Sequence, residues 1–334
     1  MDHAPEPAAH HPRSEASAVL DRGQVARVLE PSPPFDDRDP DYRADDPVRE
    51  DRLEPGSRIV SPVPGADLTW DDVVGDRPDL ASFARDRWLT SGRGLPSRVP
   101  DGYHEARVDL HRLAVYVLSP ARLEATGKMA LRATRGGFGT PFFGVDDRQV
   151  RVQDGHLVDQ RDGKAEVDGI TTLSAAARFV GVDLDLAKPD SFDVPSPGDP
   201  DRALTVDAEV NAFVADWYGF ATRVLETVRA DVPDEDRPSR VQLWPEHFDP
   251  AFEAGSEDVG RRAGFGASPG DHHDGADPEP YLYVSLWTPD AVPESPFWGE
   301  SFGAKLPWAD LVAASDQEAA AVAFYREARD RLRA

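Results

Sequence analysis

The sequence predicts an α+β fold of two similar halves, each running helix, antiparallel strands, helix, packed as one globular body. Three observations carry this prediction. Apolar residues recur at helical spacing after Asp101, after Asp207 and after Ser315. Between these stretches the period drops to two, in short runs separated by Gly, Pro and Asp. The order of signals then occurs twice, over about 100–181 and about 204–334, joined by a Pro/Asp-rich linker at 182–203. Gly137-Phe138-Gly139 and Gly264-Phe265-Gly266 echo each other and suggest a pseudo-repeat, although Gly-Phe-Gly also recurs by chance in a chain with 26 Gly.

In chain order, residues 1–60 are an acidic arm rich in Pro, Asp and Arg, with too few large apolar side chains to offset the entropy of ordering; disorder is expected there. The globular body is expected over 61–334. Leu80, Phe83, Ala84 and Trp88 suggest a helix after Pro78-Asp79. A second helix follows Asp101 with Ala106, Leu110, Leu113, Val117 and Ala121 as its stripe, and the two are expected to pair over 79–122; Pro120 marks an end or a kink. Lys128–Thr134 alternates as a half-buried strand. Strands at 148–153 and 156–161 are joined by the hairpin signal Asp154-Gly155, and Lys164–Ile170 gives another strand. Thr171-Thr172 caps a short helix that Gly181 stops. Thr205 or Asp207 caps the strongest helix, whose stripe is Val210, Phe213, Trp217, Phe220, Val224 and Val228. Strand signals resume at Val241–Trp244, Arg262–Gly266, Tyr281–Trp287 and Phe302–Leu306. A last helix opens on the capping box Ser315-x-x-Glu318 and buries Ala321, Phe324, Ala328 and Leu332.

Composition narrows the function classes. The formal charge is −25, and residues 241–334 alone hold 17 acids against 7 bases. Such a surface repels phosphate backbones and anionic lipid headgroups, so neither nucleic acid nor membrane is an expected partner. With no Cys, there are no disulfides, thiolate metal sites or thiol nucleophiles. Neither a basic-then-apolar leader nor an apolar run near the ~20 residues of a membrane helix is present, which makes the cytoplasm the expected location.

Four segments come in a recognisable order: Val241–Asp249 (VQLWPEHFD), Ala263–Asp271 (AGFGASPGD), Glu279–Val284 (EPYLYV) and Leu306–Leu311 (LPWADL). In this the chain resembles an uncharacterised bacterial domain-of-unknown-function family over about 100–332. The resemblance implies one domain containing both halves and carries no activity with it.

Gly266-Ala-Ser268-Pro269-Gly270 matches the nucleophile-elbow pattern but fails chemically. The elbow needs the backbone N–H of the residue after the serine, and Pro269 has none. Gly136–Pro141 lacks the Lys of a phosphate loop and reads as a tight connection. The remaining concentration of chemistry lies in 244–279. Glu246, His247 and Asp249 sit at one strand end, Asp271, His272, His273 and Glu279 in the next loop, with Trp244, Tyr281 and Tyr283 as an aromatic flank. Imidazole and carboxylate together can ligate a divalent metal, with His247 as ligand or general base and Glu246 and Asp271 beside it, though no recognised ligand spacing is present. A structural His247 with solvated acids is the plainer reading. No cofactor is expected beyond that metal. A non-catalytic binding or interaction module is therefore the leading expectation; a metal-dependent, hydrolase-like enzyme centred on 244–279 is the alternative.

Overall fold

The computed structural model describes residues 94–134, 136–141, 143, 148–161, 164–187, 194–272, 278–292 and 294–333. The expected arm and the helix after Pro78 lie outside the described residues.

α1 (Tyr103–Leu113) runs through a π-helical turn (Ala114–Leu118) into α2 (Ser119–Thr126). The helix does not end at Pro120, which occupies the second position of α2. The widened turn before it accommodates a ring that would otherwise meet the carbonyl four residues back. Gly127 then closes it in the left-handed conformation, φ 75°.

Five strands follow as a meander in which each pairs antiparallel with the next: β1 (Arg132–Thr134), β2 (Gly137–Gly139), β3 (Gln149–Gln153), β4 (His156–Arg161) and β5 (Lys164–Gly169). The Asp154-Gly155 hairpin forms as expected, both residues at positive φ (50° and 76°). The expected tight connection at 136–141 is instead mostly strand. Its glycines let β2 lie close on β3, since a Cβ on Gly139 would stand 2.4 Å from that of Arg151. α3 (Leu173–Val180) begins at Thr172, whose hydroxyl accepts from the Ala175 amide at 3.0 Å, and ends at Gly181.

α4 (Ala208–Ala230) is capped by Asp207, which accepts from the Val210 amide at 2.9 Å, and every residue of its predicted stripe is buried. A second antiparallel meander follows: β6 (Gln242–Trp244), β7 (Asp249–Ala254), β8 (Ala263–Ser268), β9 (Tyr281–Leu286) and β10 (Gly303–Pro307). β7 had no strand signal because Pro250 sits in it. Its ladder to β8 starts only at Ala251, so the proline is not asked to donate there. Trp287, expected as the last residue of this strand, falls just past the end of β9 and is 47% exposed.

Two helices follow β10, the short α5 (Trp308–Ala313) and the longer α6 (Gln317–Arg333). The capping box at Ser315 does not form. Asp316 accepts from the Ala319 amide at 2.9 Å, which frees Glu318 to pair with Arg223 on α4 at 2.9 Å. In α6 it is Tyr325, not Phe324, that is fully buried.

The two sheets meet edge to edge where Leu131 and Leu243 exchange two backbone hydrogen bonds of 2.8 and 2.9 Å. α4 lies across this seam, against β1 and β2 on one side and β7 and β8 on the other. One connected apolar cluster therefore includes residues of both halves. Asp109 ties the linker to α1: its buried carboxylate accepts from Arg112, Arg202 and the Thr205 amide. Burial alone would raise its pKa, but these bonds outweigh burial and hold it below the usual range.

Candidate functional site

The β6–β7 connection is the tight turn Pro245–Phe248, and it is held in an unusual shape. Phe248 has φ +57°, a region that costs a bulky residue about 1–3 kcal/mol. Its amide donates to the Trp244 carbonyl at 2.7 Å, and its carbonyl accepts from the Tyr218 hydroxyl at 2.6 Å. Its ring is caught edge-on between Phe138 of β2 (4.8 Å) and Tyr218 of α4 (5.5 Å). The Phe of the first Gly-Phe-Gly thus anchors a turn in the second half.

α1 faces this turn with three residues at four-residue spacing: Tyr103, Arg107 and His111. That spacing aligns them on one side of the helix. Tyr103 donates to the Pro269 carbonyl at 2.7 Å. Arg107 donates to the Asp271 carbonyl at 2.6 Å and to His104 Nδ1 at 3.5 Å, neither a carboxylate. The His111 ring stacks on Phe248 at 5.0 Å and meets His272 edge-on at 5.8 Å. Its Nε2 donates to the Pro245 carbonyl at 2.8 Å. A carbonyl can only accept, so Nε2 carries the proton, and Nδ1 is an unprotonated acceptor. Burial drives the His111 pKa well below its usual value, and Arg107, His272 and His247 add to the depression against the Pro245 bond.

β9 supplies two tyrosines. Tyr281 donates to both oxygens of Asp271, at 3.0 and 3.2 Å. Tyr283 donates to Asp249 Oδ2 on β7, reaching across the intervening β8. This reach depends on Gly266, which is paired with Tyr283: a Cβ there would sit 2.3 Å from the tyrosine Cζ. The second Gly-Phe-Gly therefore clears a track over which a β9 side chain reaches β7. Burial pushes Asp249 up to about 6 even though His247 and the Tyr283 hydroxyl pull it down. Burial also raises Glu246.

These contacts close into a ring, running Arg107, Asp271, Tyr281, Tyr283, Asp249, Phe248, His111 and back one helical turn to Arg107. Arg107, His111, Asp249 and Glu246 are only 1%, 2%, 3% and 6% exposed. Arg107 Nε, His111 Nδ1, Asp249 Oδ1 and Glu246 Oε2 are buried without a hydrogen-bond partner. Asp271, His272 and Tyr283, each partly exposed, form the side of the ring nearest solvent.

Of the residues singled out in the sequence, the structure brings together Asp249, Asp271, His272, Tyr281 and Tyr283, with Glu246 near enough for its charge to act on Asp249. His247 is exposed, on the outside of the turn, and Trp244 and Glu279 are half-buried. His273 lies outside the described residues. The histidine bonded to the backbone at Pro245 is His111, from α1, and not His247. Arg107 and His111 were not anticipated; their signal was the Tyr-x-x-x-Arg-x-x-x-His spacing beside an apolar stripe. Among the described residues no three His, Asp or Glu side chains are grouped to hold a metal ion. Ser268 ends β8 and accepts from the Gly270 amide at 3.1 Å, in the turn expected for it.

Comparison of the chain with protein-family models, with curated proteins and with solved structures finds no significant match in any of the three.

Proposed function

We propose that the protein is a non-catalytic binding module for a small polar molecule, held by the ring between α1 and the β6–β7 and β8–β9 connections. One observation carries this. Among the described residues nine buried side-chain atoms lack a hydrogen-bond partner; three of them are on ring members Arg107, His111 and Asp249, and a fourth is on Glu246, whose charge acts on Asp249. Each such atom costs about 1–3 kcal/mol. Four together cost roughly as much as a whole domain's net stability of about 5–15 kcal/mol. A ligand that supplies the missing partners removes that cost, and the strained turn at Phe248 is the kind of backbone found where a site must be kept in shape.

A holding role suits the chemistry better than acyl transfer, because Ser268 is followed by Pro269, which offers no N–H for an oxyanion. The resemblance to a bacterial family without assigned activity remains part of this proposal, as does a cytoplasmic setting, which the −25 charge and absence of Cys support. So does a pseudo-repeat. In its favour, each half runs helix, five-stranded meander, helix. Against it, the Gly-Phe-Gly segments occupy the second strand of one meander and the third of the other.

The test is a thermal-shift screen of the full chain against small polar metabolites, zinc and manganese, paired with a crystal structure of the apo protein. A raised midpoint with an organic compound, weakened by His111→Phe, is the expected result. A metal response removed by Asp249→Asn would favour the metal-dependent enzyme instead. Isolated ordered waters on all four atoms, with no compound binding, would end the ligand reading.

A further inference from the structure

We propose a second site in this molecule, in the cavity between the C-terminal end of α6 and the β7–β8 connection. Its ligand is a small monocarboxylate with an apolar, ring-sized body, the carboxylate on Arg261.

The cavity holds about 370 Å³, within the ~300–1,000 Å³ of small-molecule sites. Its inner wall is apolar. Val232, Ala254, Phe265 and Leu332 are buried residues that line it, and Val259, 63% exposed, stands at its rim. The Phe265 ring is held by stacking on Phe252 at 5.0 Å. An apolar cavity of about 150 Å³ is enough for benzene, so this one has room for a ring and a short acid-bearing arm. Two glycines at positive φ shape the loop beside it, Gly255 (106°) and Gly260 (68°). A Cβ on Gly255 would stand 2.2 Å from the Arg261 carbonyl, and one on Gly260 would stand 2.7 Å from the Cβ of Ala291. Phe265 and Gly266 are consecutive in β8 and so face opposite sides of the sheet. The cavity is therefore separate from the track that Tyr283 follows over Gly266.

Charge selects the ligand. The chain has 62 acids against 37 Lys and Arg, yet this cavity is lined by Arg261, Arg329 and Arg333 with one acid, Asp236. Two of these arginines are matched. Arg333 pairs with Asp236 at 3.2 Å and Glu235 at 3.6 Å, and Arg329 pairs with Asp330 at 3.2 Å. Among the described residues Arg261 has no carboxylate partner; its Nη1 donates to the Leu332 carbonyl at 3.0 Å, in the last turn of α6. That bond caps the helix, which is the plain structural role of this arginine. It uses one of five N–H donors and sets a full charge against the partial charge of a helix end. A carboxylate meets the remaining donors with two parallel bonds.

Other ligands meet half of these demands. Inorganic phosphate answers the arginine and leaves the apolar wall uncovered. A neutral hydrocarbon covers the wall and leaves Arg261 without an anion. An amine brings a positive charge toward three guanidinium groups.

The experiment is calorimetric titration of the full chain with benzoate, phenylacetate, 3-phenylpropionate and hexanoate, with the carboxamide of each, and with inorganic phosphate. The expected result is a carboxylate that binds at least ~10-fold more tightly than its carboxamide and than phosphate, since a charge-assisted bond is lost in one case and the apolar contact in the other. Arg261→Met should bring carboxylate and carboxamide to the same affinity. Ala291→Phe, which narrows the cavity, should weaken both. Should Arg261→Met fail to fold, the carboxamide comparison on the parent and the Ala291→Phe variant decide together. A carboxamide or phosphate that binds as tightly as every carboxylate overturns the proposal. So does binding that neither variant alters, or no binding by any carboxylate. None of these outcomes bears on the ring around Arg107, whose ligand is tested by His111→Phe.

Discussion

Replacing Asp249 with Asn should make the protein more stable, although the side chain is buried and hydrogen-bonded. Asp249 is 3% exposed, and burial pushes its pKa up to about 6, against about 3.9 in an unfolded chain. The sign follows from proton counting. Between the two values the native state holds a proton that the unfolded chain has released, so stability falls as pH rises through this window. At pH 8 the carboxylate is ionised in both states, and the full difference of about 2 pK units stands against the fold, about 3 kcal/mol. At pH 5, where the native group is mostly protonated, the opposition falls to about half of that. Asn has the same shape, keeps an acceptor for the Tyr283 hydroxyl and carries no charge. Urea denaturation of parent and variant at pH 5, 6, 7 and 8 should show the Asp249→Asn variant ahead by about 1–3 kcal/mol at pH 8, its lead shrinking by about half toward pH 5. A variant that is less stable at pH 8, or a lead that does not change with pH, would refute the claim that burial of this charge opposes folding. A stabilising loss of charge is what a site maintained against stability should display.

Gly266→Ala should destabilise by about 1–3 kcal/mol in thermal or urea unfolding, because its Cβ would collide with the Tyr283 ring. Repeating it in a Tyr283→Ala background should recover most of that cost, and an undiminished penalty would show that the glycine serves something else. Asp109→Asn should cost about 2–4 kcal/mol near neutral pH, after allowing for the partial exposure of Arg202. Since the Asp109 carboxyl is held below its usual range, its contribution is present above the unfolded value of about 3.9 and is lost as pH falls through the folded one. Acid unfolding of parent and variant, followed by circular dichroism, should therefore converge at the low end. Tyr325→Phe removes the 2.6 Å bond to the Gly266 carbonyl and should cost about 0.5–1.5 kcal/mol, read from the urea midpoint.

The fold was legible where one rule governed a segment. In α4 the apolar residues follow a single helical period and nothing competes with it, so cap and buried face could be read directly. Asp154-Gly155 was equally plain, since both residues tolerate positive φ. Where two rules conflicted, local reading failed. Pro250 concealed β7, and glycines concealed β2, because a strand that admits them does so through its neighbours and not through its own propensity. Ser315 and Asp316 are adjacent capping candidates, and the choice between them rests on Arg223 recruiting Glu318 from another helix. At the site, the acids at 246, 249 and 271 stood out as a group in sequence, while Arg107 and His111 did not. They lie over a hundred positions earlier, and only the packing of α1 over the β6–β7 turn makes them neighbours.

The seam between Leu131 and Leu243 has a consequence for the order of assembly. Among the described residues, every other strand pairing in the two sheets joins consecutive strands, so each meander can form from nearby chain with little loop-closure entropy. The seam joins strands about 110 residues apart, and it does so with two hydrogen bonds. α4, chain-adjacent to the second meander yet packed on both, is then the surface on which the first meander docks. In pulse-labelled hydrogen exchange during refolding, the Leu131 and Leu243 amides should gain protection after those inside either meander. The ring around Arg107 and His111, whose members come from both sides of that late step, would be completed only at the end of folding.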